Sequence, residues 1–363
     1  MHQNLKINNQ KGFSIIEMLI AITVMLVITI AIISLMRSSM QVATATYELT
    51  EAQESFRTAQ EYISRDLMNA GDGLKSVTYI PVTTNFITNY LTLTPVPDAT
   101  MAAGVTNLGI LTTDNNVPGG TVAIPSTPPP VPAPGVQNVR ASSDRQTILQ
   151  IDHDFTPIVA TAIDGNAEFL TVPAGTVMGQ FQVGEIYFLS TLKGGTFAAI
   201  TGITTGPNVL RFGNGDYCGL NLIGGSGRIK DIASAGLPAI QRMRIIHYFV
   251  DSTGLLVRRV FGVRGQPFSD SIIAEHVVGV QFVYSLGLDS GGNPVQPVNV
   301  LTSPLQQLNI SQVESTVTVE TVHTLTSAAA NQIGRQQLSS VTATSLRNMQ
   351  FRQALQPKAS PTP

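Results

Sequence analysis

A single carboxylate, Glu17, lies within an otherwise apolar run that extends from Phe13 to Met36. A charge inside a membrane span costs a few kcal/mol near the centre of the span and less near an end. The carboxylate therefore needs a reason to be there, and pairing with a cation is the chemistry open to it. A basic residue and a glycine, Lys11 and Gly12, immediately precede the run. This stretch is the strongest candidate for a functional site.

The other polar clusters are weaker candidates. Asp152–Asp154 contains metal-binding residue types, but on a strand these side chains would point to alternate faces and would not converge. Gly213–Asp216 and Asp164–Asn166 lack the complete twelve-residue pattern of a calcium loop, so turn chemistry explains them better. Gly224–Gly227 has no Lys-Ser/Thr after it, as a phosphate-binding loop would. We therefore expect no metal site, no cofactor and no enzymatic activity.

The composition limits the class of protein. The chain has 363 residues, a formal net charge of -2 and no basic excess, so nucleic acid is not an expected partner. Cys218 is the only cysteine, which excludes an intramolecular disulfide; we expect a buried small side chain there. The 31 glycines and 21 prolines, with abundant Thr, Ser, Val and Ile, favour strands and turns.

The apolar run is long enough to cross a bilayer. As a helix, Phe13–Met36 spans about 36 Å. Two lysines, Lys6 and Lys11, precede it and Arg37 follows, which weakly favours a leader in the cytoplasm. A secretory signal peptide would have a shorter core and a small-residue cleavage site after it. A plain signal anchor fits the length but leaves Glu17 unexplained.

The helix is predicted to continue beyond the membrane, because neither Gly nor Pro occurs between Phe13 and Ala70. Apolar positions then recur three or four residues apart, which predicts one buried helix face. They are Val42, Ala45, Leu49, Ala52, Phe56, Ala59, Ile63, Leu67 and Ala70. With Gly71 and Gly73 ending the run, we expect a membrane half at 13–36 and an amphipathic half at 37–73.

Residues 74–355 are predicted to form a β-rich globular domain, with a Pro-rich loop at 125–135 and a disordered tail at 356–363. The clearest hairpin joins Arg242–Val250 to Leu255–Val263. Further strands are expected at Thr147–Asp152, Glu168–Val172, Glu185–Thr191, Phe197–Ile203, His276–Tyr284 and Ser315–His323. The predicted fold class is α+β: a long N-terminal helix packed on an antiparallel β-sheet domain.

The N-terminal stretch resembles the processing site of type IV pilin-like proteins, and more narrowly of the PilW-type minor pilins. The resemblance implies a leader at 1–12 whose basic residue is Lys11, cleavage between Gly12 and Phe13, and N-methylation of Phe13. Glu17 then stands at the fifth mature position. Three further stretches resemble the helix end, a late strand and the closing strand of that family: Ile63–Gly71, Ala274–Tyr284 and Ser339–Asn348.

The resemblance also implies how the chain is used. In a filament core, Glu17 of one subunit would neutralise the amine of Phe13 of an adjacent subunit, because an unpaired charge is heavily penalised there. The implied partners are the major pilin, other minor pilins, the prepilin peptidase/methyltransferase, the inner-membrane assembly platform and, before assembly, membrane lipid. The implied location is the inner membrane with the domain in the periplasm, and then the extracellular pilus.

Three functions remain open at this point. The leading one is a minor pilin incorporated at low abundance to prime assembly near the tip, because the chain is long for a major pilin. The nearest alternative is a pseudopilin of a type II secretion system, whose N-terminus and helix are similar. An alternative of another class is a pilus-borne adhesin or DNA-uptake binding module, for which the region 74–140 is the expected place.

Overall fold

The structure of the chain is a computed structural model that describes residues 14–74, 79–91, 103–123, 136–164, 168–192, 194–221, 236–288, 292–301, 306, 309–322, 325–327 and 332–346. Four segments named above lie outside these residues: the leader at 1–12, the Pro-rich loop at 125–135, the glycine-rich loop Gly224–Gly227 and the tail at 356–363.

One helix, α1 (Ile15–Met68), continues without a break from the apolar run into the domain. At 1.5 Å per residue it is about 81 Å long. It ends two residues before the predicted Ala70, and Gly71 then adopts a φ of 70°. This left-handed conformation is common just after a helix and favours glycine, which has no Cβ to clash. The predicted continuous helix is confirmed, with a small shift of its end.

Most of the rest of the described chain forms strands. In chain order they are β1 (Tyr79–Thr83), β2 (Val105–Gly109), β3 (Leu111–Val117), β4 (Gly120–Ala123), β5 (Val136–Val139), β6 (Ser143–Ile151), β7 (Ile158–Val159), β8 (Ala162–Ile163), β9 (Phe169–Thr171), β10 (Ile186–Thr191), β11 (Gly194–Ala199), β12 (Gly202–Thr205), β13 (Asn208–Arg211), β14 (Ala239–Val250), β15 (Leu256–Phe261), β16 (Phe268–Ala274), β17 (Val277–Leu286), β18 (Ile310–Glu320), β19 (Leu325–Ser327), β20 (Gln332–Gly334) and β21 (Gln337–Ser345). A short helix, α2 (Thr84–Phe86), leads into a π-helical turn at Ile87–Leu91, and a 3₁₀ turn occupies Met178–Gln180. All pairings between these strands are antiparallel, so the α+β fold is confirmed.

The long strand β14 organises the largest sheet, which has eight strands. Its first half pairs with β10 and β7, and its second half pairs with β15 and β6. The predicted hairpin is the β14–β15 pair. In its turn the Asp251 carboxylate accepts the backbone N–H groups of Thr253 at 2.9 Å and Leu255 at 2.8 Å, and Gly254 has a φ of 89°. Turn chemistry therefore sets the register of this hairpin.

A second sheet, β17-β18-β21, packs beside α1 and is joined to the large sheet by a buried carboxylate. Asp144 accepts the backbone N–H groups of Asn116 and Phe282, both at 2.8 Å. Burial raises the pKa of Asp144 above its usual range, while these two hydrogen bonds act in the opposite direction. The carboxylate thus fixes β6 of one sheet against β17 of the other.

The apolar interior is divided into two clusters. The larger one joins α1 to both of these sheets and to the segment around Phe86. The smaller one lies between the large sheet and a four-stranded sheet, β12-β13-β9-β8, and its aromatic members are Phe155, Phe181, Tyr187 and Phe212. The domain therefore has one part built on the helix and another built away from it.

Two predictions about local structure are wrong. The strand expected at Phe197–Ile203 is two strands, β11 and β12. Strand β11 ends at Ala199, β12 begins at Gly202, and the two strands belong to different sheets. Val42 was expected on the buried face of the helix, but its side chain is 63% exposed because the domain does not reach that far along α1. Burial begins at Glu48 and Ala52.

Part of the region 74–140 belongs to the main architecture. β3 pairs with β6 and so extends the large sheet, whereas β1 and β2 pair with each other and contribute Ile80 and Leu108 to the larger apolar cluster. β4 pairs with β5 on either side of the segment that holds the prolines. The strands β1, β2 and β3 are therefore integral to the domain.

Candidate functional site

The first turn of α1 shows what Glu17 does within its own chain. Ser14 precedes the helix with φ and ψ of -70° and 142°, and its backbone N–H donates to the Glu17 carboxylate at 3.0 Å. A carboxylate at the third helical position satisfies an N–H group that has no partner in the helix, and it lies at the positive end of the helix dipole. Glu17 thus closes the start of the helix.

The membrane-length part of α1 has no partner inside the described chain. Every residue from Ser14 to Thr44 is exposed. Its threonines satisfy their own hydroxyl groups, since Thr23 donates to the carbonyl of Leu19 at 2.8 Å and Thr29 to that of Met25 at 2.7 Å. Polar groups satisfied within the helix are what an apolar medium requires. By length and composition, α1 is the one described helix able to cross a membrane.

The last turns of α1 are held by a buried ion pair. Asp66, which is 2% exposed, accepts the hydroxyl of Tyr248 at 2.6 Å and the guanidinium of Arg258 at 2.6 and 3.2 Å. Burial and the adjacent carboxylate raise the pKa of Tyr248, so its hydroxyl remains a donor. The helix is thereby fixed to the β14–β15 hairpin by charge and geometry as well as by apolar contact.

Two further contacts complete this junction. The backbone N–H of Gly71 donates to the carbonyl of Leu149 at 2.8 Å, and the hydroxyl of Thr344 donates to that of Ser64 at 3.1 Å. The first attaches the helix end to the large sheet, and the second attaches it to β21. The end of α1 is therefore held by both sheets that it packs against.

Beyond the helix end lies a groove of about 440 Å³, which we call the arginine groove. Its charged lining residues are Arg242, Arg244, Arg258, Arg264, Asp152 and Glu185. Arg242 contacts Asp152 at 2.7 Å and Glu185 at 3.4 Å. Arg244 contacts the same aspartate at 3.1 Å, and Arg264 contacts the same glutamate at 3.0 Å. Three arginines therefore share two carboxylates.

The carboxylates of the groove are buried and paired with these arginines. Burial alone would raise the pKa of Asp152, but the charges of Arg244 and Arg242 and the backbone N–H of Asp154 hold it below its usual range. Glu185 also accepts the hydroxyl of Tyr187 at 2.6 Å. The two carboxylates thus serve as the fixed anions around which the three guanidinium groups are arranged.

One protein-family model matches the N-terminal stretch of the chain. Residues 7–33 match the model described as the prokaryotic N-terminal methylation motif. No curated protein and no solved structure matches the chain. The matched stretch contains Lys11, Gly12, Phe13 and Glu17. The motif supports a type IV pilin-like or pseudopilin subunit, and it implies processing by prepilin peptidase and assembly with other pilins.

The pilin-like interpretation agrees with the geometry of α1. An exposed apolar helix with a methylation motif fits membrane anchoring, with the globular domain outside the membrane. Of the predicted site residues, the structure describes Glu17 and places it in the first turn of this helix. Lys11, Gly12 and Phe13 lie outside the described residues, so cleavage and methylation there stay predictions.

The geometry assumed for Asp152–Asp154 is wrong, since β6 ends at Ile151 and these residues form a turn. Asp152 faces the arginines of the groove, whereas the imidazole of His153 contacts Asp72 at 3.1 Å. The side chains of Asp152 and His153 therefore diverge because they lie in a turn and contact different residues, and not because they alternate along a strand. No group of three potential metal ligands occurs in the described ranges.

The turn interpretation of Gly213–Asp216 agrees with the structure. The buried Asp216 carboxylate accepts the backbone N–H groups of Leu220 at 2.7 Å and Asn221 at 3.1 Å. Cys218 is buried as expected, and its thiol donates to the carbonyl of Pro267 at 3.5 Å. Burial raises the pKa of this thiol, so it is a poor nucleophile.

Sequence reasoning missed three features of the chain. The first-turn contact could have been predicted from the sequence, because Ser14 and Glu17 have the spacing of a capping box. The partner of Asp66 could not be predicted from the sequence, since Arg258 is 192 residues away. The arginines of the groove come from β14, from β15 and from the loop after β15, so no local sequence motif predicts the groove.

Proposed function

We propose that the chain is a minor pilin subunit of a type IV pilus, of the PilW type. The prepilin peptidase/methyltransferase removes residues 1–12 and methylates Phe13. The subunit resides in the inner membrane with its domain in the periplasm. It then enters the pilus at low abundance and primes assembly near the tip. The observation that carries this proposal is the methylation motif on an apolar helix exposed from Ser14 to Thr44.

The size of the domain favours a minor over a major subunit. The described strands extend to Ser345, so the helix carries a domain of more than 250 residues. A domain of that size with two apolar clusters would crowd a filament made of this chain alone. Its incorporation in few copies, at an end, avoids that crowding. A pseudopilin of a secretion system remains the alternative, because the same N-terminus serves both.

The processing step is tested by the mass of the mature N-terminus. We expect mass spectrometry to find a chain that begins with methylated Phe13, and Gly12→Ala to leave the full-length chain in the inner membrane. Glu17→Ala serves as the matched variant, because it changes the same motif without changing the cleaved bond. An unprocessed wild-type chain, or a fully processed Gly12→Ala variant, contradicts the proposal.

The choice between pilus and pseudopilus needs a second measurement. Pili sheared from producing cells should contain the mature chain at a small fraction of the major subunit, as quantified by mass spectrometry. Deletion of the gene should reduce the number of pili and leave type II secretion unchanged. The opposite result, lost secretion with normal pili, would favour the pseudopilin.

A further inference from the structure

The floor of the arginine groove is one face of three neighbouring strands. Arg242 and Arg244 lie two residues apart on β14, so both side chains leave the same face of that strand. On the next two strands, Arg258 of β15 lies opposite Ser271 of β16, and Ser269 comes two residues before Ser271. Regular strand geometry therefore brings guanidinium and hydroxyl groups to one surface, and all five residues line the groove.

Two of the arginines keep most of their hydrogen-bond donors open. Each guanidinium carries five N–H donors. Arg242 contacts both carboxylates of the groove, Asp152 and Glu185. Within the described residues, Arg244 contacts only Asp152 and Arg264 contacts only Glu185. The side chains of Arg244 and Arg264 are 46% and 53% exposed, so their remaining N–H groups face the open side of the groove.

The carboxylates of the groove, by contrast, are fully occupied. Asp152 receives two arginines at one oxygen and the backbone N–H of Asp154 at the other, at 3.2 Å. Glu185 receives two arginines at one oxygen, and the backbone N–H of Gln182 and the hydroxyl of Tyr187 at the other. These carboxylates orient the guanidinium groups, but an acceptor for the open N–H groups has to come from outside the network.

The charge of the groove is also unbalanced. Arg258 is matched by Asp66, whereas the other three arginines share two carboxylates, which leaves one excess positive charge. A purely structural network would be more stable with equal charges, because like charges repel. The hydroxyl groups of Ser269 and Ser271 have no hydrogen-bond partner in the described part of the chain. Guanidinium forks beside free hydroxyl groups fit an oxyanion.

The size and the apolar lining of the groove indicate what carries the oxyanion. Its volume of about 440 Å³ lies in the range of small-molecule pockets, about 300–1,000 Å³, and exceeds the needs of a single inorganic ion. Met243, Val260 and Val263 also line the groove and offer contact to carbon atoms. The lining therefore fits a small organic molecule with an anionic group at one end.

The position of the groove separates it from the membrane that holds the helix. The apolar run ends at Met36, and α1 continues for 32 more residues to Met68, which is about 48 Å of helix. The groove adjoins that far end, because its residue Arg258 pairs with Asp66. Headgroups of the bilayer around the apolar run are therefore distant from the groove, which favours a dissolved ligand.

We propose that the arginine groove binds a small soluble organic anion through a phosphate or carboxylate group. Arg244 and Arg264 hold the anionic group with their open N–H donors, and Ser269 and Ser271 add hydroxyl donors. This site goes beyond the proposed function and is independent of it, since the ligand contacts residues of a single domain. Because the arginines are already oriented by Asp152 and Glu185, little ordering of side chains opposes binding.

Protection of the unaltered chain from an arginine reagent tests the site. The full chain in detergent is treated with phenylglyoxal, with citrate or glycerol 3-phosphate as the probe and glycerol at equal ionic strength as the neutral control. At ten times its dissociation constant, a probe should slow the modification of Arg244 and Arg264 about tenfold, as mass spectrometry measures it. Arg335, which is 55% exposed and pairs with Glu320, should react at an unchanged rate.

Two outcomes of this measurement overturn the proposal. One is that neither probe protects Arg244 and Arg264, or that Arg335 is protected equally. The other concerns the source of the phosphate: phosphatidylglycerol in mixed micelles presents the same group on a lipid and should protect no better than phosphatidylcholine. Protection by the lipid alone would assign the groove to a headgroup instead of a soluble molecule.

Substitution of the open arginines gives an independent measurement. Arg244→Gln with Arg264→Gln should weaken binding of the protecting probe about tenfold to a hundredfold in calorimetry, because hydrogen bonds to charged groups are lost. Arg264→Lys keeps the charge without the fork and should give an intermediate loss. Arg335→Gln is the matched control and should stay within about twofold of the wild type. Equal affinity in the double variant, with an unchanged unfolding temperature, contradicts the assignment. If that variant unfolds, the protection measurement decides.

Discussion

The two halves of helix α1 have opposite surroundings. In the outer half, residues 15–44, every residue is exposed, and its carboxylate Glu17 is bonded to the backbone N–H that begins the helix. In the anchored half, residues 45–68, one face is buried under two sheets, and its carboxylate Asp66 is held by Tyr248 and Arg258. The anchored half is completed by its own chain, whereas the outer half needs something outside it.

The exposed apolar surface of the outer half is large enough to indicate a binding role. Soluble monomers rarely leave large continuous apolar surfaces exposed, and such surfaces mark contacts with membranes or other proteins. The outer half is about 45 Å long, more than a bilayer core requires. Under the proposed function, lipid would cover it before assembly and neighbouring helices would cover it afterwards. The same half can therefore serve in two media, while the anchored half keeps the domain attached in both.

The largest expected effect on the stability of the domain comes from Asp66→Ala. Removing one partner of a buried ion pair leaves an uncompensated charge, here that of Arg258, and costs about 3–5 kcal/mol. Denaturation of the full chain in detergent, followed by near-ultraviolet circular dichroism of its tyrosines, measures the loss. Glu61→Gln, on the exposed face of the same helix, is the control and should leave the free energy of unfolding unchanged.

A double substitution shows whether that cost arises from charge. Asp66→Leu with Arg258→Met removes both partners and fills similar volume, so it should recover much of the lost stability. If the double variant is as unstable as Asp66→Ala, the carboxylate matters through its contact with Tyr248 instead, and the ion pair is not what anchors the helix.

Leucine truncation compares the two halves with one chemical change. Leu67 is fully buried, so Leu67→Ala should destabilise the domain by about 2–5 kcal/mol through lost burial and the cavity left behind. Leu26 is 56% exposed, and Leu26→Ala should leave domain unfolding in detergent unchanged. Equal losses at the two positions would mean that the outer half packs on the domain in solution, contrary to the structure.

Acid should weaken the domain through a buried histidine. Burial, with the charges of Arg145 and Arg259, lowers the pKa of His247 well below its usual range. Its Nδ1 lies 3.0 Å from the hydroxyl of Thr147. Below about pH 6.5 the unfolded chain binds a proton that the folded chain does not. The free energy of unfolding therefore falls by up to about 1.4 kcal/mol per pH unit from this group.

The contribution of His247 is isolated by comparing slopes. Burial raises the pKa of Asp144 and Asp216, which acts in the opposite direction, so the slope of the wild type alone is a sum. His247→Gln keeps a hydrogen-bonding side chain that does not titrate. Denaturation between pH 5 and 7, values about the unperturbed pKa of histidine, should give a shallower acid loss for the variant. Parallel curves would show that His247 is reached by protons in the folded state.

The anchored half shows how far sequence alone could go. The three-and-four spacing predicted the helix correctly, and it predicted the buried face correctly from Ala52 to Leu67, because periodicity is a local property. It also included Val42, which is exposed, because periodicity does not say how far the domain reaches along a helix. The Asp66–Arg258 pair could not be predicted, since it depends on how a hairpin folds back from 192 residues away.

The body of the domain repeats this lesson. Asp251 and Gly254 identified the β14–β15 hairpin because the turn chemistry is contained in four residues. Phe197–Ile203 looked like one strand because most of its residues are apolar, and the interruption between its two strands depends on the different sheets that they join. The arginine groove likewise arises from sheet pairing, which brings Asp152 beside Arg242.

The smallest effect on stability, and the sharpest test of the comparison, is expected from Glu17→Ala. The residue is exposed and bonds within its own helix turn, so its removal should leave domain unfolding in detergent unchanged. Cleavage after Gly12 should also continue, because the scissile bond is not altered. Incorporation into pili should fall nonetheless, since a carboxylate in an apolar filament core would pair with a cation. Quantifying the mature chain in sheared pili and in membranes separates these effects. Normal incorporation would reduce Glu17 to a helix cap, and a loss of domain stability would show that the outer half is coupled to the domain after all.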